Sequence, residues 1–344
     1  MDIDNSFDTW IANMPKAELH LHIDGSLQAG RLLSLAKKNK VAMPYNSVEQ
    51  IEAAYQFTHL QSFLDLYYLG ASVLRDEEDF YWLMMDYLQR CREQQIVHTE
   101  IMVEPQTYLP YGVTLATVIN GFSQAIAEAR QQWGQSVLLI LSLLRHLSEQ
   151  DALDTLEQAQ PFRQHFIAVG LASSEKGNPP QKFERFYSAA RQLGYRAVAH
   201  AGEEGPAQFI WDALKLLKVQ RIDHGVRCSD DPELVKYLQQ HSIPLTVCPL
   251  SNIRLRVFDR MQDHNVITLL EQGLKITINS DDPAYFGGFL NENFFALRRD
   301  LNLSENQALR LVKNSFEASF LSPQQQQQYL SRVDAYSASH PIQD

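Results

Sequence analysis

The chain has 344 residues, 45% of them hydrophobic and 21% charged, with a formal net charge of −11. That length can bury a large core and suits either about two domains or one long α/β barrel. The acidic balance argues against a nucleic-acid surface. No run reaches the roughly 18 apolar residues of a membrane span, and the start MDIDNSFDTW has no apolar leader, so a cytoplasmic protein is expected.

Eight β-type runs follow in order: Ala17–His22, Val97–Val103, Val137–Leu143, Phe166–Leu171, Arg196–His200, Arg221–His224, Ile243–Val247 and Leu274–Asn279. Most are almost continuously apolar, as parallel strands covered on both faces are. Helical segments fit between them at Asp79–Gln94, Leu115–Gln132, Lys182–Leu193, Pro206–Leu217, Asp231–Gln240 and Val266–Gln272. This alternation predicts a (β/α)8 TIM-type barrel in a single domain over residues 1–344. The insertion over residues 28–74 is too long for one crossover and is expected to form a helical lid over the first strand's C-terminal end. Residues 289–344 read as a helical tail, with the short low-complexity run Gln324–Gln328 on an exposed helix face.

The chemistry-bearing residues fall at the ends of these runs. His20 and His22 close the first; a strand's side chains alternate, so both point the same way. They are either satisfied polar core residues or two ligands placed together without a loop. His200 ends the fifth run, followed by Glu203, which is either a helix-start acid or a group reaching into a site from above. His224 ends the sixth, as a salt-bridged structural histidine or an acid–base group. Asp281 and Asp282 follow the eighth, as a helix cap before Pro283 or as a metal-bound doublet. In such barrels the chemistry sits at the C-terminal ends of the strands, the rim that all these residues share. His20, His22, His200 and Asp281 make a three-nitrogen, one-oxygen set suited to Zn²⁺, one per chain, with a position left for water. Imidazole and carboxylate also accept Fe²⁺ or Mn²⁺. A metal there would lower the pKa of its water towards neutrality, which points to metal-assisted hydrolysis. The three cysteines, Cys91, Cys228 and Cys248, form no CxxC pair and no disulfide framework. His98, mid-strand with no partner motif, reads as structural.

The motifs HLHIDGSL, HAGEEG, RIDHG, TVCPLSN and NSDDPAYFGG, in this order between residues 16 and 288, resemble those of the adenosine/adenine deaminase family of the amidohydrolase superfamily. The resemblance implies a zinc barrel that replaces the 6-amino group of a purine with oxygen. It matches His20, His22, His200 and Asp281 to the zinc ligands, and Glu203 to the acid that protonates purine N1. His224 matches the residue that orients the attacking hydroxide or takes its proton, and Asp282 the contact to N7. The segments LRHLSE, VGLASSEKGNPP and EPQT resemble the adenine deaminase branch, which acts on the free base in purine salvage; Ser173 aligns with the residue whose backbone N–H meets N3. Three positions depart from that branch. Asp24 stands where Glu is usual, Ala172 where Asp is usual, and Tyr108 where His is common. In adenosine deaminases the Asp24 position contacts the ribose, so adenosine or an N6-substituted adenine is the alternative substrate. A two-metal phosphoester or amide hydrolase would carry a bridging lysine on the fourth strand, which here ends Gly170–Leu171–Ala172. A binding protein without activity would have lost a ligand or the acid, and none is lost. The expected partner is a small purine, with no nucleic acid and no membrane; oligomeric state is not legible.

Overall fold

The computed structural model describes residues 5–57 and 60–341; Thr58 and His59 of the insertion, the first four residues and the last three lie outside them. Eight strands follow one another in spatial order, all neighbours parallel. They are β1 (Lys16–His22), β2 (Ile96–Val103), β3 (Ser136–Leu144), β4 (Phe166–Ala172), β5 (Arg196–Ala201), β6 (Arg221–His224), β7 (Leu245–Val247) and β8 (Ile276–Ile278). With helices on the outside of each crossover, this is the expected (β/α)8 barrel.

The last two strands are shorter than the sequence reading gave. Pro244 interrupts the seventh run because it has no N–H to give a ladder, although its carbonyl still accepts from Ile222 N at 3.0 Å. Asn279 leaves the eighth, and its side-chain Oδ1 takes over, accepting from Leu19 N at 2.8 Å. The barrel closes one step further on. His22 N donates to Asp281 O at 3.0 Å and Asp281 N to His20 O at 3.2 Å, an isolated bridge between β1 and the segment after β8.

The opposite, N-terminal end is sealed. Arg221 Nη1 donates to Glu100 Oε2 at 2.7 Å, both fully buried, and the guanidinium lies 4.6 Å from the centre of the Phe320 ring. Phe320 comes from the C-terminal tail and packs on the lumen layer of Met102, Ile140, Ala168 and Val198. His98 joins this seal through Ser136 and Glu100, and is structural as expected.

The outer helices match the expected segments closely, with one difference. The stretch Pro206–Leu217 becomes an α-helix (Ala207–Asp212) that widens into a π-turn (Ala213–Leu217). A helix at Asn5–Asn13, unmarked by strong periodicity, precedes β1. The insertion holds three helices, Ala29–Lys38, Val48–Ala54 and Leu60–Ala71. The third turns Leu60, Phe63, Leu64 and Tyr67 inward, to line a pocket at the C-terminal rim. The tail adds helices at Leu290–Leu301, Glu305–Ala318 and Pro323–Ser339. Among the described residues no helix is long and apolar enough to cross a membrane.

Candidate active site

The rim gathers the predicted residues into one buried cluster. His20 Nε2 lies 3.2 Å and His22 Nε2 3.4 Å from Asp281 Oδ1, and His22 Nε2 lies 3.1 Å from His200 Nε2. Ligand atoms about 2.0 Å from a tetrahedral ion stand roughly 3.3 Å apart, so these separations fit one small divalent ion. His20 Nε2 is buried and lacks a hydrogen-bond partner, an arrangement costly for a nitrogen lone pair unless something else takes it. His224 belongs to the same cluster, its Nε2 3.7 Å from Asp281 Oδ2.

For His20 and His22, what turns Nε2 inward is the hydrogen bond made by the other ring nitrogen. His20 Nδ1 meets Thr246 Oγ1 at 2.9 Å, and that hydroxyl donates its own proton to Asp223 Oδ1 at 3.0 Å. The hydroxyl can therefore only accept from His20, which leaves Nε2 bare. His22 Nδ1 meets Glu104 Oε1 at 2.8 Å, and His200 Nδ1 faces Asp223 Oδ2 at 3.5 Å. The donor chemistry of His20, His22, His200 and Asp281 thus fits a borderline metal ion.

Backbone geometry pays for the arrangement. Ser173, His224 and Asp281 all adopt left-handed conformations (φ 77°, 63° and 64°), which side chains other than glycine resist. Gly25 is required for a different reason. A Cβ there would stand 2.1 Å from Asp282 Oδ1, so only glycine lets the chain after β1 pass the second aspartate.

A pocket open to solvent lies in front of the cluster, with about 440 Å³ of space that includes its open mouth. Glu203, His224, Asp281, Asp282 and Ser173 line it, together with the insertion's Phe63, Tyr67 and Tyr68. Burial, reinforced by Asp281 and Glu175, holds the Glu203 carboxyl well above the ordinary range. Burial and Asp281 do the same to Asp282. Burial opposes charge on Asp281 too, but His20 and His224 hold it well below the usual value. Glu203 Oε1 and Asp282 Oδ1 are buried without protein partners. The pocket therefore offers two carboxyls that favour keeping a proton and one that favours charge, the division acid–base chemistry needs.

Asp24 is placed differently. It does not line the pocket. Tyr108 Oη donates a short hydrogen bond to its Oδ1, and Tyr67 Oη reaches Oδ2 at 3.4 Å; burial holds its pKa up at about 7. Two departures that looked independent in the sequence, Asp24 and Tyr108, are one contact. Ser173 sits on the pocket wall, its hydroxyl bonded to His146 Nδ1 at 2.8 Å and Tyr68 Oη at 3.3 Å.

Several residues went unassigned by sequence reasoning. Glu104, Asp223 and Thr246 orient the histidines. Glu175, fully buried, accepts from the backbone N–H groups of Gly202, Glu203, Glu204 and Gly205 at 2.9, 3.0, 2.9 and 2.6 Å. Glu104 and Glu175 lie inside EPQT and ASSE, segments noted for their resemblance alone.

A closed parallel barrel whose rim carries histidines from β1, β5 and β6 and an aspartate after β8 has the architecture of the amidohydrolases. Residues 15–336 match the family model described as adenosine deaminase. The chain is 54% identical over 331 residues to a protein of Hahella chejuensis named adenine deaminase, covering 96% of this chain and 99% of that one. It is 57% identical over 309 residues to one of the same name from Pseudomonas putida, covering 90% and 98%. The crystal structure of adenine deaminase from Arthrobacter aurescens superposes with a TM-score of 0.93 at 45% identity, covering 94% and 99%. The chain belongs to the adenosine deaminase family, and by these relatives stands with its adenine deaminase branch.

Proposed function

We propose that the protein hydrolyses adenine to hypoxanthine and ammonia in purine salvage, using one Zn²⁺ held by His20, His22, His200 and Asp281. The observation that carries this reading is the meeting of His20 and His22 Nε2 with Asp281, and of His200 Nε2 with His22 Nε2, beside Glu203, a buried carboxyl that favours its protonated form. When bound, the ion supplies a Lewis acid that activates water at neutral pH. The remaining work falls to side chains. Addition of water at C6 breaks the ring's aromaticity, and Glu203 places a proton at N1 as that bond forms. Asp282 contacts N7, the backbone N–H of Ser173 meets N3, and His224 orients the water. The C6–N bond then breaks: one proton of the added water goes to the amino group, which leaves as ammonia, the other returns Glu203 to its acid form, and C6 becomes the carbonyl while N1 keeps its proton. The insertion's aromatic side chains cover the pocket and exclude bulk water.

The free base is favoured over a nucleoside for two reasons. The relatives at 53–57% identity carry the name adenine deaminase, and the carboxylate at the ribose-reading position, Asp24, is engaged by Tyr108 and Tyr67. The test is kcat/KM for adenine, adenosine, 2′-deoxyadenosine, N6-methyladenine and N6-isopentenyladenine side by side, with metal analysis of the protein and of His200→Ala. Adenine is expected to lead, with about one Zn²⁺ per chain and both metal and activity lost in the variant. Preference for adenosine or an N6-alkyl adenine would overturn the substrate; failure with every 6-substituted purine would overturn the reaction.

A further inference from the structure

Beyond Thr246, the TVCPLSN segment has no part in the roles above, yet its Asn252 is fully buried against His224. Beside it stands His264, also buried. The three make a chain of contacts that begins at a backbone amide, and a backbone N–H can only donate.

The N–H of Val266 reaches His264 Nδ1 at 3.1 Å, so Nδ1 accepts. The ring's proton is then on Nε2, and burial keeps the ring neutral by holding its pKa at about 3. His264 Nε2 lies 3.2 Å from Asn252 Oδ1. That donor fixes the amide's orientation, because only the oxygen can accept it. The amide nitrogen is thereby turned to His224 Nδ1 at 3.4 Å. His224 Nδ1 accepts in turn, and its proton resides on Nε2, which faces Glu203 Oε2 at 3.6 Å and Asp281 Oδ2 at 3.7 Å. His20 and His22 have the reverse arrangement. Their Nδ1 atoms meet oxygen, which leaves Nε2 bare.

We infer that His264 and Asn252 are positioning residues that lock His224 as its Nε2–H tautomer, so that in the proposed hydrolysis it donates a hydrogen bond to the attacking water and serves neither as a base nor as a metal ligand. The inference rests on the functional reading above for the word "water", but not for the tautomer. It also explains how four clustered histidines divide: the same ring is a lone-pair donor or an N–H donor according to what stands behind it.

The experiment is ¹⁵N NMR of the zinc-loaded protein, with His224→Gln to assign the resonances, alongside kinetics of three variants. Wild type should show a protonated Nε2 and an unprotonated Nδ1 at His224. His264→Gln preserves the chain, because its Oε1 accepts from Val266 and its Nε2 donates to Asn252; kcat per bound zinc should stay within about threefold of wild type, against the roughly 10–100-fold that loss of such an outer partner costs. His264→Leu breaks the chain and should lower kcat per bound zinc by that roughly 10–100-fold with KM little changed. Asn252→Asp replaces the donor with an acceptor and should draw the proton to Nδ1. A wild-type His224 carrying its proton on Nδ1 overturns the inference, as does His264→Leu with unchanged kcat per bound zinc. If His264→Leu does not fold, the wild-type spectrum and Asn252→Asp decide. If wild type deaminates no 6-aminopurine, the functional reading fails while the spectrum still reports the tautomer.

Discussion

Glu203 owes its chemistry to what surrounds it. Burial and four neighbouring carboxyls favour its protonated form, and Gln keeps the shape without the proton. Glu203→Gln should hold its metal and lose roughly 10²–10⁴ in kcat, the usual worth of a positioned acid; a rate near wild type would leave Glu203 as a helix-start residue only. His264 sets a different test, one of stability. Its pKa falls from 6.5 to about 3 on folding because burial penalises its charge. The neutral ring therefore costs nothing above pH 6.5. Below that the unfolded chain takes up a proton that the folded one refuses, and stability is lost as pH falls towards 3. At pH 5 the loss is about 2 kcal/mol, and metal-free His264→Gln should lose that much less between pH 7.5 and 5 in urea unfolding. At this scale the sequence was legible wherever a candidate residue sat at or just past the end of an apolar run: His20, His22, His200, His224, Asp281, Asp282 and Glu203 all gather at one rim. It was silent where function lay in a partnership. Glu104 meets His22 from 82 residues away and Tyr108 meets Asp24 from 84, and no local pattern encodes such pairs.

Among the elements, the loop after β5 depends on a residue from the loop after β4. Glu175 collects four N–H groups of the segment Gly202–Gly205, while Arg145 Nη1 donates to His200 O at 2.8 Å. Together they hold the turn that carries both His200 and Glu203. Glu175→Gln turns one acceptor atom into a donor facing N–H groups, and kcat per bound metal should fall roughly 10–100-fold. If Glu175 acts through Glu203, the same change in a Glu203→Gln background should cost little more; full multiplication of the two losses would show an independent role. The strands were readable from their apolar runs because each is buried on both faces. The ends of β7 and β8 were not, because there a proline carbonyl and an asparagine side chain replace ladder bonds. The helix Leu60–Ala71 lacked a readable register for a related reason: its inward face is aromatic and meets a pocket as well as a core, so its periodicity does not mark one buried stripe.

Across the whole molecule, chemistry and stability occupy opposite ends of the barrel. Glu100 and Arg221 seal the N-terminal end, and Arg221 is fully buried with its guanidinium committed there. Glu100→Gln removes the nearer carboxylate and leaves Arg221 only Asp223 Oδ1, 4.0 Å from its Nε; it should cost about 3 kcal/mol, the low end for breaking a buried pair. Denaturant unfolding would read the loss, and kcat at 25 °C should hardly move. The C-terminal end has its own dependence. The rim end of the seam between β8 and β1 is made by the amides of His22 and Asp281, whose side chains belong to the proposed metal set. An ion at the rim would act as the clasp of a hoop, and a chelator would release it. Hydrogen exchange should register this directly: the His22 and Asp281 amides are expected to be strongly protected in loaded protein and to exchange far faster after chelation, while those of β3 and β4 stay slow. Two backbone protons would then count the ions bound, without substrate and without catalysis.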